Sequence, residues 1–184
     1  MELFQILEYA LGEIINNCCQ HSYGSGFVSA QYYPRDGFVR LAIADNGIGI
    51  RESFRQSGSP HFHDKLSDRD FLEIAIEPEI SSKNHIRGPY GDPVNAGVGL
   101  SIVEYLIANT YGYFFLSSGH SWVFRDGEKD REYGNFGDLS FPGVTCSLAF
   151  RRGEAYAKYC LIQEARKELG LISQKPNKQP NIFQ

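Results

Sequence analysis

Residues 13–21 read EIINNCCQH, and within them Glu13, Asn17 and His21 recur at every fourth position. Apolar residues from Leu3 to Cys19 recur at helical spacing and predict one long amphipathic helix. Four residues advance an α-helix by one full turn and about 40° more, so the three polar side chains form a slanting row beside the apolar face. We therefore expect this row to border the hydrophobic core.

Two glycine motifs follow at the ends of other predicted elements. The first is Asp45-Asn46-Gly47-Ile48-Gly49, which follows the second strand of a hairpin predicted from β-like runs over 27–33 and 38–44. The second is Asn95-Ala96-Gly97-Val98-Gly99-Leu100-Ser101, at the start of a predicted helix over 100–109. Glycines allow close approach to the backbone, and the unpaired N–H groups of a helix start suit phosphate. The second motif is neither a Walker A loop nor a dinucleotide-binding G-x-G-x-x-G pattern.

Composition bounds the class of protein. The 184 residues are the size of one domain, and a formal net charge of −4 argues against binding DNA through bulk charge. The sequence has neither an apolar run long enough to span a bilayer nor a secretion signal at its start. The four cysteines have no C-x-x-C spacing, so we expect buried, reduced thiols and a cytosolic protein. Because the first residues already lie in a helical pattern, we also expect a protein partner or further domains upstream.

The rest of the chain predicts one domain over 1–152 and a C-terminal extension over 153–184. Residues 51–96 carry few regular signals except a short helix over 70–76, and a connection of that length is either functional or a sign that an element has been misassigned. Further strands are predicted over 113–117, 121–125 and 144–150, with a polar turn region over 126–138. The extension predicts a helix over 155–169 and then a disordered tail with little apolar content.

In their order and spacing the three motifs resemble the ATP site of the GHKL superfamily. This superfamily includes ATPases of the gyrase, heat-shock-chaperone and MutL types, histidine kinases and anti-sigma serine kinases. The resemblance spans roughly residues 3–150 and implies a Bergerat-type fold. This is an α/β two-layer sandwich with a mixed, mainly antiparallel sheet and helices on one face. It also implies that residues 51–96 form a lid over the nucleotide.

The resemblance implies an ATP site with magnesium. Asn17 would be a Mg²⁺ ligand, and Glu13 the general base that activates the attacking nucleophile. His21 would either contact phosphate or brace the helix end. Asp45 would accept a hydrogen bond from the exocyclic amine of adenine. The other residues assigned to nucleotide binding are Gly47, Gly49, Lys83, Gly97, Val98, Gly99, Leu100 and Thr145.

Several alternatives stay open at this point. The site could serve an ATPase, the catalytic domain of a histidine or serine kinase, or a module that senses adenine nucleotide without chemistry. Each motif alone also has a structural interpretation: a polar helix stripe, an Asp-Asn-Gly turn and a glycine-rich helix start. The pair His61 and His63 lies in a polar loop without a metal-ligand pattern, so we expect no metal there. Trp122 and the aromatic residues of the strands are expected in the core.

Overall fold

The computed structural model describes residues 2–82, 97–153 and 161–171. The helices are α1 (Glu2–Asn17), α2 (Gly49–Gln56), α3 (Asp68–Ile76), α4 (Gly99–Asn109) and α5 (Leu161–Glu168), and a π-helical turn at Cys18–Ser22 continues α1. The strands are β1 (Gly26–Tyr33), β2 (Phe38–Asp45), β3 (Tyr113–Gly119), β4 (Ser121–Asp126), β5 (Glu132–Asn135) and β6 (Phe141–Arg151). The protein is thus an α/β fold, as the sequence predicts.

The strands form one open sheet in the order β1-β2-β6-β3-β4-β5. Every neighbouring pair in the described part of the chain is antiparallel. The predicted mixed sheet is therefore wrong in that respect, because the last strand, β6, inserts between β2 and β3 and runs opposite to both. This insertion brings the end of β2 beside the start of β6.

The hydrophobic core lies between one face of the sheet and the helices. Ile6, Ala10 and Ile14 recur along α1 at helical spacing and are all buried. They pack in one cluster with residues of α4 and with the inward side chains of the strands, including Ile102, Leu106, Leu41, Phe114, Leu116, Leu148 and Phe150. Fully burying one such side chain stabilises the fold by about 1.5–3 kcal/mol. The core therefore fixes α1 and α4 side by side over the sheet.

The second face of the sheet carries aromatic rings that the sequence placed in the core. Phe115 stacks on Trp122 with 6.4 Å between ring centroids, and Tyr113 stacks on Phe124 at 6.2 Å. These residues alternate along β3 and β4 with the core residues Phe114, Leu116 and Val123, so they point away from the core. The core prediction is wrong for Trp122, which is half-buried.

Two elements occupy regions where no regular structure was expected. Helix α2 begins at Gly49, the last residue of the Asp45 motif, and extends into the predicted connection over 51–96, and its Phe54 packs on Phe71 of α3 with 5.6 Å between centroids. Its few apolar residues gave no clear periodicity. Strand β5 lies in the predicted turn region over 126–138 and pairs with β4. Its sequence is too short and polar to predict a strand.

Other sequence predictions agree closely with the structure or lie beyond it. Helix α3 begins two residues earlier than predicted because Ser67 and Asp70 form a capping box. Helix α5 lies within the predicted helix over 155–169. Residues 83–96 of the expected lid and the tail over 172–184 fall outside the described residues. None of the described helices has the length and apolar character needed to cross a membrane.

The cysteines are only partly as predicted. Cys146 is fully buried, and burial raises its pKa to about 12. Cys18 is half-buried, but Cys19 is exposed on the π-helical turn, so the prediction of burial is wrong there. All three are free thiols, and Cys160 lies outside the described residues.

Candidate functional site

A cleft opens between the ends of the central strands and the helices. It is lined by α1 and its π-helical turn, by the end of β2, by α2, by the segment after α3, by the start of α4, and by β3 and β6. Of the residues predicted to bind nucleotide, those that line the cleft are Glu13, Asn17, His21, Asp45, Gly49, Gly97, Gly99 and Leu100. Three motifs that are far apart in the sequence therefore share one cavity.

Asp45 lies at the end of β2 and is only 6% exposed. Its Oδ1 accepts a hydrogen bond from the backbone N–H of Gly47 at 2.9 Å. Burial raises the pKa of Asp45, and backbone hydrogen bonds from Gly47 and Val144 partly offset this rise. The result is a fixed, poorly hydrated carboxyl group that faces the cleft. Such a group suits a ligand that brings a hydrogen-bond donor.

Gly143 is the residue that allows β6 to pass beside Asp45. A Cβ placed on Gly143 would lie 2.5 Å from Asp45 Oδ1, and its φ of +77° is one that other residues rarely adopt. The sequence analysis did not assign this glycine to the site. Its only sequence signal is the Pro-Gly pair before a β-like run, which is common in turns.

Gly47 joins the Asp45 motif to the end of α1 and does not line the cleft. A Cβ on Gly47 would lie 2.5 Å from the carbonyl carbon of Ser22. The next residue, Ile48, donates its N–H to the same Ser22 carbonyl at 2.9 Å. Glycine is thus needed at position 47 because its backbone contacts the backbone of Ser22. This contact keeps Asp45 beside the polar row of α1.

His21 departs from the straight helical row predicted for it. The backbone changes from α- to π-helix at Cys18 and ends at Tyr23, whose φ is +56°. His21 Nδ1 lies 3.0 Å from Ser82 Oγ and 3.3 Å from Ser53 Oγ. Of the two predicted roles, these contacts support the bracing of the helix end, and phosphate contact stays a prediction.

Glu13 lies against the start of α4. A Cβ on Gly99 would overlap the Glu13 carboxylate and lie 3.1 Å from its Cδ. Val98, the residue before Gly99, makes no side-chain hydrogen bond that caps α4. The Glu13 carboxylate lies at this helix start, where the positive end of the helix dipole favours an anion. The pKa of Tyr9 is raised to about 12, first by burial of its side chain and second by the nearby charge of Glu13. Glu13 therefore lies in direct contact with the start of α4.

Gly97 connects the third motif to the segment after α3. Its φ is +69°, and a Cβ there would lie 2.5 Å from the carbonyl carbon of Ile80. Ile80, Ser81 and Ser82 line the cleft beside it. The two described residues that flank positions 83–96 thus both belong to the cleft wall.

Two further predicted residues, Thr145 and Val98, are not among the residues that line the cleft in the described part of the chain. Thr145 lies between Val144 and Cys146, which do line the cleft, so alternation turns its side chain to the other face of the sheet. Its Oγ1 is buried without a hydrogen-bond partner in the described part of the chain. Val98 acts through its carbonyl, which accepts from Ser101 Oγ at 2.9 Å. Lys83 lies outside the described residues.

Several residues that line the cleft were not predicted from the sequence. Ser53 lies on the unpredicted helix α2, and Ser82 lies within the predicted connection over 51–96. Both are buried, and their hydroxyls are 3.0 Å apart. A serine pair separated by 28 intervening residues leaves no local signal, so only the tertiary contact could reveal it.

The donor set of the cleft bears on the expected metal. Within residues 2–82, 97–153 and 161–171 no three His, Cys, Asp or Glu side chains are grouped so as to hold a metal ion. The cleft offers the carboxamide of Asn17 and the carboxylate of Glu13. This set fits Mg²⁺ only if phosphate oxygens and water supply the other ligands, which is how Mg²⁺ commonly binds. His63 Nδ1 instead accepts from the Lys65 N–H at 3.2 Å, as expected of a loop residue.

No protein-family model matches this chain, and no curated protein is significantly similar to it. The three motifs and the geometry of the cleft are therefore the features that point to a function.

Proposed function

We propose that this protein is a GHKL-type domain that binds ATP with Mg²⁺ and uses it for hydrolysis or phosphoryl transfer in a cytosolic regulatory protein. The observation that carries the proposal is the shared cleft of Asp45, the Glu13 and Asn17 row, and the glycine start of α4. A buried acceptor in this cleft suits a purine amine, and a helix start in the same cleft suits phosphate.

Each residue then has a separate chemical task. Asp45 accepts a hydrogen bond from the adenine amine, which guanine lacks at that position. Asn17 supplies one oxygen to a magnesium ion carried by the triphosphate. Glu13, beside the start of α4, takes a proton from the attacking nucleophile. Gly97 and Gly99 keep this wall of the cleft close to the ligand.

Calorimetric titration with ATP, ADP and GTP, with and without Mg²⁺, tests binding directly. Asp45→Ala removes the adenine acceptor and is expected to weaken ATP binding at least about tenfold, since a hydrogen bond to a charged group contributes about 1.5–3 kcal/mol. Asp36→Ala is the matched control, because Asp36 is exposed in the turn at the far end of β2. Equal affinity of wild type for ATP and GTP would contradict the assignment of Asp45.

Turnover of labelled ATP tests the role of Glu13. Glu13→Ala is expected to leave ATP binding largely intact and to remove turnover, whereas Glu8→Ala, an exposed change on the same helix, is expected to alter neither. Unchanged turnover in Glu13→Ala removes this residue from the role of general base. Free phosphate as the product indicates an ATPase. Label on a protein partner indicates a histidine or serine kinase.

A second candidate function is an adenine-nucleotide sensor without chemistry. It is favoured by the position of Glu13, whose carboxylate lies at the uncapped start of α4 and so occupies the place suited to phosphate. In a sensor this carboxylate is an anion that phosphate displaces. Glu13→Ala would then tighten ATP binding, and wild type would show no multiple turnover. Turnover that depends on Glu13 excludes this candidate.

A further inference from the structure

Three side chains from separate segments meet in one wall of the cleft. His21 comes from the π-helical turn, Ser53 from α2 and Ser82 from the segment after α3. The Ser82 hydroxyl is 3.0 Å from His21 Nδ1 and 3.0 Å from the Ser53 hydroxyl, which is itself 3.3 Å from the same nitrogen. Ser53 is 6% exposed and Ser82 is 3% exposed. All three side chains line the cleft.

Counting the hydroxyl hydrogens of Ser53 and Ser82 favours one arrangement of hydrogens. A neutral imidazole has one N–H donor and one acceptor nitrogen, and each hydroxyl has one hydrogen. If Nδ1 accepts, Ser53 donates to Ser82 Oγ and Ser82 donates to Nδ1, so both hydroxyl hydrogens are used inside the group. If Nδ1 donates, one hydroxyl hydrogen must find an acceptor elsewhere. A buried hydroxyl without an acceptor costs about 1–3 kcal/mol.

The backbone also fixes Ser82 in place. The carbonyl of Ser82 accepts from the Ser57 hydroxyl at 2.6 Å, which ties this segment to the end of α2. The shorter of the two hydroxyl distances to Nδ1 is the one from Ser82. The chain of donors therefore runs from Ser53 through Ser82 to His21.

We propose that Ser53 and Ser82 are positioning residues that hold His21 as the tautomer with hydrogen on Nε2, so that this N–H donates to a phosphate oxygen of the bound nucleotide. Phosphate oxygens only accept hydrogen bonds, so a ring held as a donor suits them. The phosphate part of this inference rests on the proposed function. The tautomer part does not, because it concerns the protein without ligand.

Nitrogen NMR of the ¹⁵N-histidine-labelled chain tests the tautomer without nucleotide. At a pH of about 8 an ordinary histidine is neutral, and His21→Gln identifies the His21 signals among those of the five histidines. Wild type is expected to carry hydrogen on Nε2. Ser82→Ala is expected to move hydrogen toward Nδ1, Ser53→Ala to do so less, and Ser82→Thr to behave as wild type. Hydrogen on Nδ1 in wild type, or no change in Ser82→Ala, overturns the inference.

Titration with ATP and AMP tests the phosphate contact. Ser82→Ala is expected to weaken ATP binding about tenfold and to leave AMP binding unchanged, the size expected for one hydrogen bond to a charged group. Ser82→Thr is expected to restore ATP affinity. Ser117→Ala is the matched control, because Ser117 is equally buried but lies on β3 outside the cleft lining. Thermal unfolding confirms that each variant is folded.

The NMR experiment and the nucleotide titrations together show which part of the inference fails. If wild type binds no ATP, the proposed function fails and the NMR result alone decides the tautomer. If wild type binds ATP and Ser82→Ala binds it equally well, the phosphate contact is overturned while the proposed function stands. If Ser82→Ala weakens the binding of ATP and of AMP equally, Ser53 and Ser82 shape the cleft and do not act through phosphate.

Discussion

The contact between Gly99 and Glu13 allows a quantitative test of the cleft geometry. Gly99 is the first residue of α4, and its backbone is in a conformation that alanine can adopt, since its φ is not positive. A methyl group there would overlap the Glu13 carboxylate and lie 3.1 Å from Cδ and 3.3 Å from Cβ of the same residue. Gly99→Ala must therefore displace the Glu13 side chain.

Two opposing free energies set the expected magnitude. Replacing glycine by alanine at a compatible position stabilises a protein by about 0.4–1 kcal/mol through the unfolded state. Overpacking against Glu13 costs about 1–3 kcal/mol. In a Glu13→Ala background the carboxylate is gone, and of the three nearest contacts the 3.3 Å contact with Cβ is left. The same change should then become stabilising, so we expect a coupling free energy of about 1–3 kcal/mol between the two sites.

Urea unfolding of wild type, both single variants and the double variant measures this coupling. Gly12→Ala is the control, because a Cβ on Gly12 of α1 meets nothing within 4 Å. It should stabilise the protein by about 0.4–1 kcal/mol in either background. A coupling below about 0.5 kcal/mol, within the error expected of independent sites, would show that Glu13 does not lie on the start of α4. It would also remove the geometric basis for its proposed role.

Two further predictions concern buried carboxylates. Because burial raises the pKa of Asp45, the folded state binds its proton more tightly than the unfolded state, so this group adds stability as pH falls through its raised pKa towards 3.8. The unfolding free energies of wild type and Asp45→Asn are compared from pH 7 downwards. As pH falls through the raised pKa of Asp45, their difference should shift in favour of wild type. A difference that does not vary with pH would contradict this prediction. Glu104 is 3% exposed and accepts hydrogen bonds from Nε and Nη2 of Arg131 at 2.7 and 2.6 Å, and Arg125 Nη1 lies 3.3 Å from its Oε1. Glu104→Ala leaves two arginines without their shared partner and should lower the unfolding free energy by about 3–5 kcal/mol, measured by urea unfolding. The control Glu128→Ala, a change at an exposed residue, should lower it by under about 0.5 kcal/mol. Equal losses in the two variants would show that the ion pairs contribute little.

The elements that the sequence predicted well are those with a strong local signal. The long α1 has a continuous apolar stripe, and the hairpin of β1 and β2 has an alternating pattern and a Pro-Arg-Asp-Gly turn. Helix α2 was missed because its three buried residues, Gly49, Ser53 and Phe54, are too few to show a period. The π-helical turn was missed for a different reason. It is held by contacts between His21 and two serines that lie far away in the sequence.

The aromatic residues show the same limit. An alternating strand marks two faces, but it does not say which face is covered. The rings of Phe115 and Trp122 are as apolar as those of the core, yet they lie on the face opposite Leu116 and Val123. Only the packing of α1 and α4 on one side decides which set becomes the core.

The motifs themselves, with their residue types and order, are properties of the sequence, because a helix repeat, a strand end and a glycine-rich helix start each have local signals. Their convergence in one cleft is a property of the tertiary structure. It depends on β6 inserting beside β2, on Gly47 touching Ser22, and on Gly97 touching Ile80. These are contacts between backbones distant in sequence, and no local pattern encodes such a contact, since it exists only once the core has brought the segments together.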